Sequence, residues 1–163
     1  MKTTCGIFLF RSDGKFLIGH PTNSPDNLWT IPKGLKDSGE SDLVAAFREL
    51  YEETNIFEKD MDVFTYRHVG LFKYKSQAKV LSAFYINSSS MFKNVDMKCQ
   101  SMVKSYGKPY FPEIDNFKWV TIEESKSVLI DSQLKAIEVI EKIRNDDTES
   151  NKSLATLSSK PGS

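Results

Sequence analysis

Four glutamates crowd one short stretch of this sequence: Glu40, Glu49, Glu52 and Glu53, with Arg48 among them and Lys33 and Gly34 just upstream. A helix turns about 100° per residue, so one running through residues 41–54 carries Glu49, Glu52 and Glu53 on a single arc, at i, i+3 and i+4. Like charges at that spacing destabilise a helix by about 0.2–0.5 kcal/mol per pair, and by more where water is excluded. Arg48 can reach Glu52 one turn on, but one guanidinium does not balance four carboxylates. Mg²⁺ or Mn²⁺ is the natural complement, because hard divalent cations take oxygen ligands and share them with substrate phosphates. A solvated helix rich in a good helix former is the plainer account of ExxEE taken alone.

Positioning such acids requires an anchored helix. Leu43, Phe47, Leu50 and Thr54 follow one another at spacings of four, three and four. They are expected to lie on a sheet and to leave the acidic arc open beside the small Ala45. Ser41 is the expected N-cap, with Asp42 favourably placed in the first turn. Residues 3–10 and 16–18 read as a hairpin about the Ser12-Asp13-Gly14-Lys15 turn. Residues 19–27 read as a surface loop, and residues 28–31 as a strand that stops at Pro32-Lys33-Gly34. Residues 63–74, 79–86 and 117–120 carry strand composition. Thr121 and Glu124 form a capping-box pattern, and residues 131–144 a closing helix with Leu134, Ile137, Ile140 and Ile143 inward. From residue 145 the chain turns polar and serine-rich, which predicts a folded domain over residues 1–144 and a disordered tail over 145–163.

Composition narrows the partners. A chain of 163 residues with 22 basic and 22 acidic side chains has the size of one domain and lacks the basic excess of a sequence-independent nucleic-acid binder. Cys5 and Cys99 are the only cysteines, which argues against a disulfide framework or a cysteine-built zinc site. No leader-like segment and no run approaching about 18 apolar residues is present, so the expectation is a cytoplasmic protein with no membrane contact. Oligomeric state is not written in the sequence.

Residues Gly34, Glu40, Arg48, Glu49, Leu50, Glu52, Glu53 and Ile56 fit the spacing G-x5-E-x7-R-E-U-x-E-E-x-G-U, with U aliphatic. This resembles the Nudix box, the signature of the Nudix hydrolase family. One position departs: Asn55 stands where the pattern has its second Gly, and Asn is the usual non-glycine residue able to take the left-handed conformation past a helix end. The Trp29-x-x-Pro32 lead-in and Trp119-Val120-Thr121 extend the likeness over residues 3–144.

The resemblance implies an α/β fold, an α/β/α sandwich with a mixed β-sheet, and Mg²⁺- or Mn²⁺-dependent hydrolysis of a phosphoanhydride bond in a nucleoside diphosphate linked to another group. It implies Glu49, Glu52 and Glu53 as metal ligands, with Glu49 or Glu52 as general base instead, and Arg48 orienting a box glutamate. Glu40 would steady the loop or meet a metal through water, and Gly34 would offer its carbonyl to the metal or serve only its turn. Glu113 is the candidate for a further acid from a later loop. Lys33 would contact substrate phosphate or stand as a surface lysine. His20 and His68 read as surface or core residues, Phe72, Tyr74, Phe84 and Tyr85 as core, with Tyr74 or Tyr106 available to stack on a base. The Trp-Thr-Ile-Pro-Lys-Gly lead-in is similar to members acting on dinucleoside polyphosphates. ADP-ribose or a nucleotide sugar is the next choice of substrate and the 5′ end of RNA a third. A catalytically silent nucleotide-binding domain would normally have lost a box glutamate, and here all four remain.

Overall fold

The β-rich N-terminus becomes the centre of a mixed sheet. A computed structural model describes residues 1–75, 78–104, 107 and 109–159, with side chains up to residue 150. β1 (Lys2–Phe10) lies parallel to β5 (Lys79–Ser88), which pairs antiparallel with β4 (Phe64–Lys73). On its other side β1 meets β2 (Phe16–Pro21) and β3 (Lys33–Leu35), and β2 pairs with β8 (Ile114–Val120), giving the order β4-β5-β1-β2-β8 with β3 against β1. β6 (Met102–Val103) and β7 (Phe111–Pro112) form a separate small ribbon.

Alternation along β1 supplies both cores, since neighbouring side chains point to opposite faces. Phe8 and Phe10 pack with Phe16, Ile18, Leu81 and Val120 against Ala136, Ile137 and Ile140 of α3 (Asp131–Ser159). Cys5, Ile7 and Leu9 pack with Leu17, Phe84 and Ile86 against Ala45, Ala46 and Leu50 of α1 (Asp42–Thr54). The sheet is therefore covered by a helix on each face, the expected α/β/α sandwich. The short α2 (Ile122–Ser125) begins at the Thr121–Glu124 capping box as the sequence suggests.

Two expectations change. Residues 28–31 contribute only the bridge of Thr30 to Gly19, and the strand lies beyond Pro32, where Lys33, Gly34 and Leu35 pair with Gly6, Cys5 and Thr4. Proline is tolerated just before a strand because no ladder donor is asked of it. The compositional break after Arg144 does not end the helix: α3 continues to Ser159, through a polar stretch with no Gly or Pro to stop it. Among the described residues no helix is long and apolar enough to cross a membrane.

The start of α1 is held by side chains. Ser41 accepts from the Val44 amide, and Asp42 accepts from Lys36 Nζ at 2.9 Å and from Ser82 Oγ on β5 at 2.7 Å. Ser82 pairs with Cys5, which pairs on its other side with Gly34.

Candidate active site

The stripe that α1 buries is not the one drawn by its larger apolar residues. Ala45, Ala46, Glu49, Leu50, Glu53 and Thr54 are buried, whereas Leu43 and Phe47 are only partly covered. Two alanines let the helix sit close to β1, and that rotation carries two of the acids under β3. Glu49 is 7% exposed and Glu53 3%, so the expectation of an open acidic arc is corrected. Glu52 alone stays near water, with 39% of its side chain exposed.

Gly34 makes room for this arrangement. A Cβ added there would fall within the Glu49 carboxylate. Gly34 is a paired strand residue, which sets aside the reading that it serves only its turn, and the absence of a side chain is required instead by the close approach of Glu49. Beside it, the Lys33 amide donates to Glu53 Oε2 at 3.2 Å.

Arg48 gathers the remaining oxygens. Its Nε and Nη2 donate to the two oxygens of Glu40 at 2.8 and 2.9 Å, and Nη1 donates to Glu49 at 2.9 Å and Glu52 at 3.2 Å. Nη2 also reaches the Leu35 carbonyl at 3.0 Å and lies 3.5 Å from Asp37. This fork-to-fork contact holds the Glu40 carboxyl below its usual range, and the surrounding acids raise Arg48 further.

The inner acids go the other way. Burial pushes Glu49 up to about 7, against the pull of Arg48 and with added repulsion from Glu52 and Glu113. Burial raises Glu53 well above the usual carboxylate range, opposed by Lys33 and reinforced by Glu49 and Glu113. For both groups burial outweighs the positive charge nearby, Arg48 at Glu49 and Lys33 at Glu53.

An open cleft of about 630 Å³ runs past them. Lys33, Gly34, Glu49, Glu52, Glu53 and Glu113 all line it, so the structure gathers six of the eight residues singled out for the site. Glu40 and Arg48 stand behind the wall and orient it. Thr22, Asp37, Lys79, Ser101 and Phe111 also line the cleft and carried no signal in the sequence, because each arrives from a separate strand end or loop. His20 lies outside the cleft, and His68 hydrogen-bonds Ser82 at 2.9 Å. Tyr74 bonds Thr4 through its hydroxyl at 2.9 Å and packs on the core, as Phe72, Phe84 and Tyr85 do. Tyr106 lies outside the described residues. Among the described residues no three His, Cys, Asp or Glu side chains stand at metal-holding spacing.

Asn55, the departure from the box pattern, takes the left-handed conformation at φ 69° and caps α1. Its amide also donates to the Asp96 carbonyl at 3.0 Å and its oxygen accepts from Gln100 at 3.1 Å. These bonds pin the segment whose Gln100 and Ser101 amides donate to the Glu52 carbonyl. Restoring the pattern's glycine with Asn55→Gly relieves little strain and removes both bonds. It is expected to lower stability by about 0.5–1.5 kcal/mol in urea unfolding, and a gain in stability would reverse this account.

The model of the NUDIX domain family matches residues 2–142. A Pelagibacter ubique protein named RNA pyrophosphohydrolase is 26% identical, covering 88% of this chain and 92% of its own. A Bartonella quintana protein of the same name is 30% identical over 77% of this chain and 79% of its own. In three dimensions, a C. elegans Ap4A hydrolase superimposes with a TM-score of 0.65 at 21% identity, covering 90% of this chain and 99% of that one. Family model, relatives and fold agree with the glutamate constellation on α1: the chain belongs to the NUDIX domain family.

Proposed function

We propose that this protein is a divalent-metal-dependent pyrophosphohydrolase of nucleotide 5′-polyphosphates, with the 5′-triphosphate end of RNA as its first substrate. It is a hydrolase acting on pyrophosphate bonds. The observation that carries the metal reading is the pair of buried carboxyl groups, Glu49 and Glu53, that line the cleft and are raised above the usual range by burial despite Arg48 and Lys33. Their hard oxygens, with Glu52 and the Gly34 carbonyl, would hold Mg²⁺ or Mn²⁺ once the half-exposed Glu52 turns from Arg48 toward the inner pair. A bound cation supplies charge neutralisation on the phosphates and acidifies water.

The chain's own groups do the rest. Lys33 offers an ammonium to a phosphate, Arg48 fixes the carboxylates of Glu49 and Glu52, and one of these two takes the proton of the attacking water. Glu113 closes the far wall with a further acid. The RNA end is favoured by the end-to-end likeness to relatives of that name, and the neutral net charge suits a short footprint at the terminus rather than a long one. The lead-in Trp29-Thr30-Ile31-Pro32-Lys33-Gly34 supports a second reading, a dinucleoside polyphosphate.

A 5′-triphosphorylated RNA oligonucleotide, diadenosine tetraphosphate, ADP-ribose and nucleoside triphosphates, each assayed with and without Mg²⁺, separate the two. Conversion of the RNA to its 5′-monophosphate with the highest kcat/KM is expected. Preference for diadenosine tetraphosphate with the RNA untouched would replace the first reading by the second.

A further inference from the structure

His20 is the penultimate residue of β2, at the point where the pairing with β8 shifts register, between His20 and Pro21. Its ring lies between two acceptors: Nδ1 is 2.7 Å from Asp115 Oδ1, and Nε2 is 3.0 Å from the Pro25 carbonyl. A neutral imidazole has one N–H and satisfies only one of them, whereas the imidazolium donates to both. The side chain is 12% exposed and rests against Trp29 at 5.3 Å between ring centres, at the edge of an open hollow that Asp115 also lines. The charged groups around it are Asp115 from β8, Asp26 from the turn that lines the same hollow, and Lys118, which sits over the Trp29 ring at 4.1 Å. Asp115 and then the Pro25 carbonyl hold the His20 proton above the ordinary imidazole range, against the opposing effect of burial.

The turn that His20 grips is also a wall of the cleft. Pro21 and Thr22 line it, the Thr22 amide donates to the Glu113 carbonyl at 2.9 Å, and the Thr22 hydroxyl donates to the Pro112 carbonyl. We infer that the His20 imidazolium is a positioning residue that staples the turn of residues 22–27 to β8, thereby holding the Thr22–Glu113 wall in its substrate-binding place. The inference rests on the reading of the cleft as the substrate site. Loss of the His20 proton frees one end of the staple and weakens substrate binding while leaving the chemical step alone. Because the folded protein holds this proton more tightly than the unfolded chain, the staple's stabilisation is complete below about pH 6.5 and fades as the pH rises through the raised value.

Ring-labelled histidine NMR across pH 6–9 tests the staple without any turnover. His20 is expected to titrate above an ordinary imidazole, Asp115→Asn to bring that midpoint down, and the Thr22 and Glu113 amide signals to move with the same midpoint. In steady-state assays on the triphosphorylated RNA, KM is expected to rise about fivefold above the midpoint, the size of one hydrogen bond, with kcat unchanged. His20→Ala should show the high KM at every pH. Asp115→Asn, which keeps the shape, serves as the second variant if His20→Ala does not fold. Amide signals that ignore the His20 midpoint, or a wild-type KM in His20→Ala at pH 6, would overturn the staple even in an active enzyme. Coupled amide shifts in a protein that leaves the RNA uncleaved would overturn the substrate reading and uphold the staple.

Discussion

Glu53→Gln is expected to lower kcat by about 10²–10³-fold, the scale on which single ligand or charge-stabilising groups act, and at the same time to raise the melting temperature of the metal-free protein. The two effects share one cause. Glu53 is almost fully buried and its carboxyl is raised well above the usual range, chiefly by that burial. A carboxyl whose folded-state pKa is raised contributes stability that is present below its unfolded value, about 4.3, and lost as the pH climbs through the folded value. At neutral pH the wild-type protein therefore carries a destabilising buried acid, and the isosteric amide removes it. A cation would reverse the balance by binding the ionised form, so Mg²⁺ should raise the wild-type melting temperature and leave that of the variant nearly unmoved. Thermal melts with and without Mg²⁺, together with turnover of the triphosphorylated RNA, measure both halves. Wild-type turnover in Glu53→Gln would remove this side chain from the site.

Gly34→Ala is expected to abolish the site by sterics alone. The new methyl would occupy the position of the Glu49 carboxylate, so either that carboxylate swings out or α1 lifts away from β3. Overpacking of this kind lowers stability by about 1–3 kcal/mol, and displacement of a reacting group by about 1 Å is enough for a 10²-fold loss of rate. Shortening the obstructing side chain should separate the two losses. In Gly34→Ala/Glu49→Ala the clash is gone and most of the stability should return, whereas activity should not. A double-mutant cycle in urea reads the coupling directly. Additive stabilities would mean that Gly34 and Glu49 do not share this space.

Much of the fold was legible because local chemistry and tertiary demand agree. The Ser41 cap, the Thr121–Glu124 box, the Asn55 turn and the strands through Phe8, Phe72 and Phe84 all stand where propensity puts them. Six of the eight candidate residues that the sequence singles out line one cleft, but the burial of Glu49 and Glu53 was not legible. Periodicity ranks a helix face by the bulk of its apolar residues, whereas α1 docks through the two residues with least bulk, Ala45 and Ala46, and so takes Glu49 and Glu53 inward with them. The strand at Gly34 was hidden for a related reason. A Pro-x-Gly sequence signals a turn unless a partner strand and a carboxylate already fill the space on either side. Thr22, Lys79 and Ser101 left no local trace, since only the tertiary fold brings them to one cleft.

The row Gly34, Cys5 and Ser82 crosses three strands at the centre of the sheet, and Ser82 in turn holds Asp42 at the start of α1. The loop between β3 and α1 is thus tied at both ends to the same line of backbone. Its flanking amides are therefore expected to exchange with solvent deuterium more slowly than those of the opposite wall. The opposite wall is carried by Thr22, Ser101 and the two-residue strands β6 and β7, which lie outside that sheet or at its margin. One wall of the cleft is thus carried by the central sheet and the other by short, separate elements.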